Sequence, residues 1–373
     1  MSISPRASVY TLSMSSPDDI SGLKDLLGTQ SISCDAIKCI LMKTEGNGLD
    51  NDFSRQLATR SVLDMIASNT DWSLERIQKN ITLLASGGCE GIVSPHMIIY
   101  TKQADARPSS YDAVDRPPTL AIGRSVSAPC KPIDVGTENQ ARETRNATYA
   151  AMADAGLTPD QVRYVLVKGA IPDDAGIRQL KGVLSPHALK SAMRAASAVG
   201  VGMALGDIKT WENDPSIPGE GPICGRVCVT ASADSPESEI IVFGMSSAWQ
   251  SNFVVTSGHM IDMIDTPAFA TALSTLGLNA APQLSAADRD RLAAILVKGE
   301  PPSRGMLRDR RHVMWRDSDI NAFRHFRAAM GGCFAALTGE TRIYASAGAE
   351  RQVANGGLSF AIFARTSEGD LHV

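Results

Sequence analysis

Three apolar runs in this chain end in a lysine, Ile40-Leu-Met-Lys43, Val165-Leu-Val-Lys168 and Ile295-Leu-Val-Lys298, and that repetition limits the folds open to it. A motif that recurs three times along one chain calls for one supersecondary unit built three times. Three such units round a common axis would bring three lysines to one pocket. An arginine on an expected helix follows each lysine, at Arg55, Arg194 and Arg324. The second and third share a lysine-to-arginine spacing of 26 residues, while the first is trimmed to 12.

A second apolar run then leads to a serine in each copy, at Ile81–Ser86, Ile240–Ser246 and Arg342–Ser346. Gly87, Ser247 and Ala347 come next, small residues that leave backbone N–H groups able to face a ligand. A last apolar strand is expected at Gly91–Tyr100, Asn252–Thr256 and Leu358–Ala364. Helices ending in Ala151–Leu157 and Ala272–Leu278 precede the later two lysine strands. The predicted fold is α/β, with three structurally similar repeat units in pseudo-threefold symmetry around a central site. The units span 1–104, 117–251 and 257–373. Polar, proline-rich stretches at Lys102–Pro118 and Trp211–Gly225 read as a linker and as a loop inside the second unit.

With 373 residues, 43% of them hydrophobic, the chain has ample material for a core. A net charge of −4 argues against nucleic-acid and membrane-surface partners. The sequence shows neither a membrane-length apolar run nor a signal-peptide pattern, so a cytoplasmic location is expected. Seven cysteines without a secretory signal read as free thiols.

Lys43-Thr-Glu-Gly-Asn-Gly48 and Ser86-Gly-Gly-Cys-Glu-Gly-Ile-Val-Ser-Pro-His96 resemble the cyanuric acid hydrolase/barbiturase family of cyclic amide hydrolases. Asp317-Ser-Asp-Ile-Asn321 ahead of Arg324-His325, and the stretch Arg342–Glu350, extend the resemblance over essentially the whole chain. It implies a substrate held at the axis between three Lys–Ser–Arg sets. The implied reaction is hydrolytic ring opening of cyanuric acid to carboxybiuret, which decarboxylates to biuret. By motif position the resemblance makes Ser246 the nucleophile and Lys168 its base. It makes Arg55, Arg194 and Arg324 substrate-binding residues, with Lys43 and Lys298 as the other two dyad lysines. Ser86 with Gly87, Ser247, and Ser346 with Ala347 match loops that hold substrate oxygens.

The resemblance implies a homotetramer, no organic cofactor, and a structural divalent ion (Mg or Ca) at Glu300, Ala349, Gln352, Val353, Ala354 and Gly357. The loop here reads Gln352-Val-Ala-Asn-Gly-Gly-Leu358, without the family's proline and one of its glycines, a departure that bears on that ion. Two further departures fall in the second unit, at Lys168-Gly-Ala-Ile-Pro172 and Met193-Arg-Ala-Ala-Ser197.

The chemistry asks for these residue types. A serine hydroxyl becomes a nucleophile when an adjacent lysine is neutral and takes its proton. Burial and nearby cations lower a lysine toward that state. Guanidinium groups match the carbonyl oxygens and anions of an imide ring. Choosing Ser246 over Ser86 and Ser346 rests on motif position, not on spacing. Arg60, Arg308, Arg310, Arg311 and Arg327 read as surface charge, and Asp317 and Asp319 as caps of the helix carrying Arg324. Two other functions stay open: a barbiturase that opens barbituric acid to ureidomalonic acid, and a non-catalytic imide-binding protein.

Overall fold

The lysine runs are apolar on both faces, which suits strands inside a sheet. The computed structural model describes residues 4–48, 51–105, 116–171, 186–211, 221–232, 235–314 and 321–367. The first unit contributes β1 (Ser4–Ser13), α1 (Ser21–Gly28), β2 (Ile37–Thr44), α2 (Ser54–Ser68), α3 (Leu74–Asn80), β3 (Thr82–Gly87) and β4 (His96–Asp105). The second contributes β5 (Thr119–Val126), α4 (Glu138–Ala155), β6 (Val162–Ala170), α5 (Pro186–Leu205), β7 (Val227–Ser232) and β8 (Glu239–Ser246). The third contributes β9 (Phe253–Met260), α6 (Thr266–Thr275), α7 (Ala286–Arg291), β10 (Leu292–Gly299), a small pair β11 (Met306–Leu307) and β12 (Arg310–Arg311), α8 (Ala322–Thr338), β13 (Tyr344–Ala347) and β14 (Leu358–Arg365).

The three large sheets share one topology. Their strand orders are β1-β4-β2-β3, β5-β8-β6-β7 and β9-β14-β10-β13. In each, the unit's last strand lies antiparallel between its first strand and its lysine strand, and the lysine strand runs parallel to the strand beyond it. The helices start and stop on local signals. Thr137 caps α4 by accepting the Asn139 N–H, and Gly156 ends it at φ 66°. Asn321 caps α8 by accepting from Phe323, and Gly339 ends it at φ 69°. Asp317 and Asp319 lie outside the described residues, as do 106–115 of the expected linker and 212–220 of the expected loop.

The sheets meet at their centre through one aromatic ring from each central strand. Tyr100, Phe243 and Phe363 stand with centroids 4.7, 5.2 and 5.0 Å apart, tilted or edge-on. Helices cover the outer faces. Val62 and Ile66 of α2 pack with Ile40 and Met42, and Phe269 and Phe334 pack with Phe360. The seven cysteines are all unpaired. Among the described residues no helix is long and apolar enough to cross a membrane.

The second unit corrects the strand assignment. Ile240–Ser246, expected as the serine strand, belongs to β8 and is the counterpart of β4 and β14. The strand beside the lysine strand is β7. Asn252–Thr256, expected to end the second unit, overlaps β9, the first strand of the third sheet, so a third unit starting at 257 would cut that strand. Three strands in succession each contain a short apolar run, and their pairing tells them apart.

Candidate active site

Parallel pairing sets the chemistry. In the first sheet Lys43 lies opposite Ser86 and in the third Lys298 lies opposite Ser346, so each lysine meets a serine at a shared sheet end. Lys43 Nζ reaches Ser86 Oγ at 3.3 Å and the Gly87 carbonyl at 3.2 Å. It also donates to the Ala345 carbonyl of the third unit at 2.7 Å. Lys298 Nζ reaches Ser346 Oγ and the Ala347 carbonyl, both at 3.1 Å. Both lysines are fully buried. Burial first, then the Arg327 guanidinium, pushes the Lys43 ammonium down to about 7. Burial, with Arg194 adding to it, pushes Lys298 down to about 8. A lysine at these values is partly neutral near pH 7 and can accept a serine proton.

The turns after the two serines are built alike. Gly88 (φ 90°) and Gly348 (φ 84°) each stand two residues past the serine, in backbone that disfavours any side chain. A Cβ at Gly348 would come within 2.9 Å of the Arg194 guanidinium, and one at Gly88 within 2.7 Å of Arg327. Four residues past each serine stands a buried glutamate. Arg327 donates to Glu90 at 2.8 and 2.6 Å. Arg194 donates to Glu350 at 2.6 Å through both Nε and Nη2. Each pair joins two units, third to first and second to third. Arg194 is therefore a clamp on the Ser346 turn. Arg327, read from sequence as surface charge, is its counterpart on the Ser86 turn.

Arg324 lies 3.6 Å from Glu90 with its side chain 35% exposed, and Arg55 lies 3.8 Å from Asp52 at 31% exposure. Asp52 itself is buried and accepts the Gly48 N–H at 2.7 Å, which holds the turn after Lys43. A Cβ at Gly87 would run into its carboxylate. Arg55, Ser86, Gly87, Arg324 and Lys43 are thus gathered at the first unit's end of the site, with Ser346, Ala347 and Lys298 at the third's. Arg60 pairs with Asp64 on the surface, while Arg308 reaches a buried carboxylate, Asp262.

Ser246 and Lys168 are not brought together. Lys168 pairs across the sheet with Glu239, and Ser246 lies at the other end of that same strand, seven residues on. At ~3.3 Å per residue the separation is roughly 23 Å. Ser246 Oγ accepts the Ala248 N–H at 3.2 Å, so it organises the turn that carries Ser247. The second unit's own candidates sit on β7. Thr230 lies opposite Lys168, and Ser232 lies two rows further, opposite Ala170. The Ser232 side chain lies outside the described residues. The signal that finds it is a shared dipeptide: Ala85-Ser86, Ala231-Ser232 and Ala345-Ser346. Lys168 Nζ is bonded instead to Glu239 at 2.9 Å.

The expected ion loop is closed on itself. The Glu300 carboxylate accepts the Ala349 N–H at 2.6 Å, and the Gln352 side-chain oxygen accepts the Val229 N–H at 2.8 Å. The Ala349 carbonyl accepts from Gln352 and Val353, Ala354 from Gly357, and Gly357 from Glu300. Among the described residues no three His, Cys, Asp or Glu side chains converge as metal ligands. The expected ligands are mainly backbone carbonyls with the Glu300 carboxylate, oxygen donors of the kind that would hold a structural divalent ion, and no catalytic step is assigned to one.

Residues 8–365 match the family of amidohydrolase ring-opening proteins. A cyanuric acid amidohydrolase of Bradyrhizobium diazoefficiens is 34% identical, over 96% of this chain and 98% of the relative. A cyclic amide hydrolase of Azorhizobium caulinodans is also 34% identical, over 96% of this chain and all of the relative. A solved cyanuric acid hydrolase, described as an evolutionary innovation by structural concatenation, superposes with a TM-score of 0.87 at 29% identity, covering 97% of this chain and 100% of that one. The crystal structure of the A. caulinodans cyanuric acid hydrolase gives 0.83 at 32% identity, covering 97% and 99%. Three like sheets round one centre, buried lysine–serine pairs and full-length similarity agree: this chain belongs to the ring-opening amidohydrolase family and is a hydrolase of cyclic amides.

Proposed function

We propose that this enzyme opens cyanuric acid by hydrolysis, with Ser86 as nucleophile and Lys43 as its base. The observation that carries this reading is the Lys43–Ser86 contact itself. A fully buried lysine, lowered to about 7, lies against a serine that is partly exposed. The Lys298–Ser346 pair has the same design, but Ser346 is only 6% exposed. A base works best with its pKa near the operating pH, and a nucleophile must meet its substrate.

The reaction follows from the placement. Neutral Lys43 takes the Ser86 proton as Oγ bonds to a ring carbonyl carbon. The oxyanion that develops meets backbone N–H groups of the glycine turn after Ser86; one such donor is typically worth roughly 3–4 kcal/mol of barrier. The ring C–N bond breaks, and the Lys43 ammonium returns the proton to the departing nitrogen. Water, deprotonated by the same amine, then cleaves the ester and frees Ser86. The product is carboxybiuret, which loses carbon dioxide to give biuret. Arg55 and Arg324, at the edge of the turn, supply fixed positive charge for ring oxygens.

Support comes from the cyanuric acid hydrolases this chain resembles throughout its length. The test is turnover of cyanuric and barbituric acids in parallel by the purified protein, following ring absorbance and released biuret. Biuret from cyanuric acid is the expected result. Turnover of barbituric acid alone would make the enzyme a barbiturase, and turnover of neither ring would return it to a binding role.

A further inference from the structure

Side chains two residues apart in a strand share a face. Ser86 therefore shares a face of β3 with Leu84, and Ser346 shares a face of β13 with Tyr344. Leu84 and Tyr344 both lie in the central core where the units meet, whereas Leu83 and Ala345 pack into the outer cores beneath the helices. The two serines thus face the axis, with a row of core side chains beneath them. Taken two residues back from the partner of each lysine, that row is Leu84 in the first unit, Cys228 in the second and Tyr344 in the third.

Each unit offers its member of that row to a neighbour. Lys43 donates to the Ala345 carbonyl at 2.7 Å, so the strand carrying Tyr344 lies against the first unit's lysine–serine pair. By the same order β7 lies against the third unit, where the Val229 N–H meets Gln352 at 2.8 Å, and β3 against the second, where Thr82 meets Glu239 at 2.7 Å. Leucine offers no donor and a thiol only a weak one, so the phenol stands beneath Ser86 alone of these sheet ends. Tyr344 is fully buried, and among the described residues its Oη finds no partner of full hydrogen-bond geometry. Burial holds the phenol well above its usual value, so it stays an O–H, and the hydroxyl that acts on it is that of Ser86. The other groups acting on it from the facing strands, Cys39 and Cys228, are thiols that burial keeps protonated and are poor acceptors. A buried phenol O–H without a partner asks for one. A serine oxygen has two lone pairs and one hydrogen, so Ser86 Oγ can accept from Tyr344 while giving its own hydrogen to a neutral Lys43.

Resting on the hydrolase reading above, we propose that Tyr344 of the third unit is a positioning residue for Ser86 of the first, its phenol O–H donating to Oγ from beneath and holding that hydroxyl toward Lys43 and the bound ring. Tyr344 touches no substrate atom, because it lies a row below the serine and is sealed from solvent. It acts through the orientation of Oγ. Lys43 alone approaches Oγ at 3.3 Å, the long end of the hydrogen-bond range, so a second fixed contact narrows the rotation left to the serine.

The test separates this role from simple packing. Tyr344→Phe keeps the ring and removes only the hydroxyl. The expected result is a fall in kcat on cyanuric acid of about tenfold, the size of one lost hydrogen bond, with KM little changed and the denaturation midpoint unmoved or raised. A variant with wild-type kcat, or one whose loss of activity follows a loss of stability, would overturn the proposal. A second measurement reads the contact itself. The chain has six tyrosines, so ¹³C at the phenol carbon gives a short spectrum in which Tyr344→Phe assigns the Tyr344 signal. Ser86→Ala should shift that signal, because the phenol loses its acceptor; a Tyr344 signal that stays in place would overturn the proposal. If the wild-type protein opens no imide ring at all, the hydrolase reading fails, while the tyrosine spectrum still decides whether Tyr344 holds Ser86.

Discussion

The junction of the first and third units and the interior of the second are built on sheets of one topology and bring different side chains together. At the junction a lysine faces a serine, a glycine turn follows, and a glutamate four residues on is clamped by an arginine from the neighbouring unit. In the second unit the lysine faces a threonine, the Ala-Ser pair comes two residues late, and an acid takes the amine. The comparison shows that a repeated fold supplies three equivalent sheet ends, whereas side chains in a few neighbouring rows give each lysine different partners. The residue across the strand from each lysine differs: His96 in the first unit, Ser359 in the third, and in the second Glu239, whose carboxylate accepts from Lys168.

The largest effect expected from breaking this asymmetry is on turnover. Ser86→Ala should lower kcat by about a hundredfold to ten-thousandfold, while Ser246→Ala, at the opposite end of β8 from the residue that pairs with Lys168, should leave it within a few fold in the same steady-state assay. The pH dependence of stability comes next. Folded Lys43 loses its proton at about 7, whereas an unfolded lysine does so near ~10.4. Between those values the unfolded chain binds more protons, so stability should rise with pH across that window. The rise attributable to this group is on the order of 4 kcal/mol, and Lys43→Met should flatten it in denaturant titrations run from pH 6 to 10.

Arg327→Met would strip buried Glu90 of both its short hydrogen bonds and leave it only Arg324 at 3.6 Å, at a cost of about 3–5 kcal/mol, and Arg194→Met should cost a similar amount at Glu350. Equal losses of unfolding free energy for the two variants would confirm that the clamps are equivalent; a near-zero loss for Arg327 would return it to surface charge. The smallest effect should come from Ser246→Ala on stability, about 1 kcal/mol for one hydroxyl bonded to a backbone N–H.

Much of this was legible in the sequence. Three lysine strands, three arginine-bearing helices and the serines of the first and third units stand where periodicity and motif placed them, because each run is apolar, short and bounded by small residues. The second unit misled for a physical reason. Val227–Ser232, Glu239–Ser246 and Phe253–Met260 are consecutive strands that each contain a short apolar run, and a serine ends two of them, so apolar pattern alone does not select the one beside Lys168. The clamps were missed for another reason. Arg327 and Glu90 are charged residues that look solvated until two units close over them, and no local pattern in either stretch reveals a contact 237 residues apart.

The most direct test of the account is to quench the enzyme with acid during turnover of cyanuric acid, digest it, and find by mass spectrometry which serine carries the acyl group. The account predicts the adduct on Ser86, in the peptide that runs from β3 into the glycine turn. An adduct on Ser232 would contradict it, placing the nucleophile in the second unit and Lys168, despite Glu239, in the role of base.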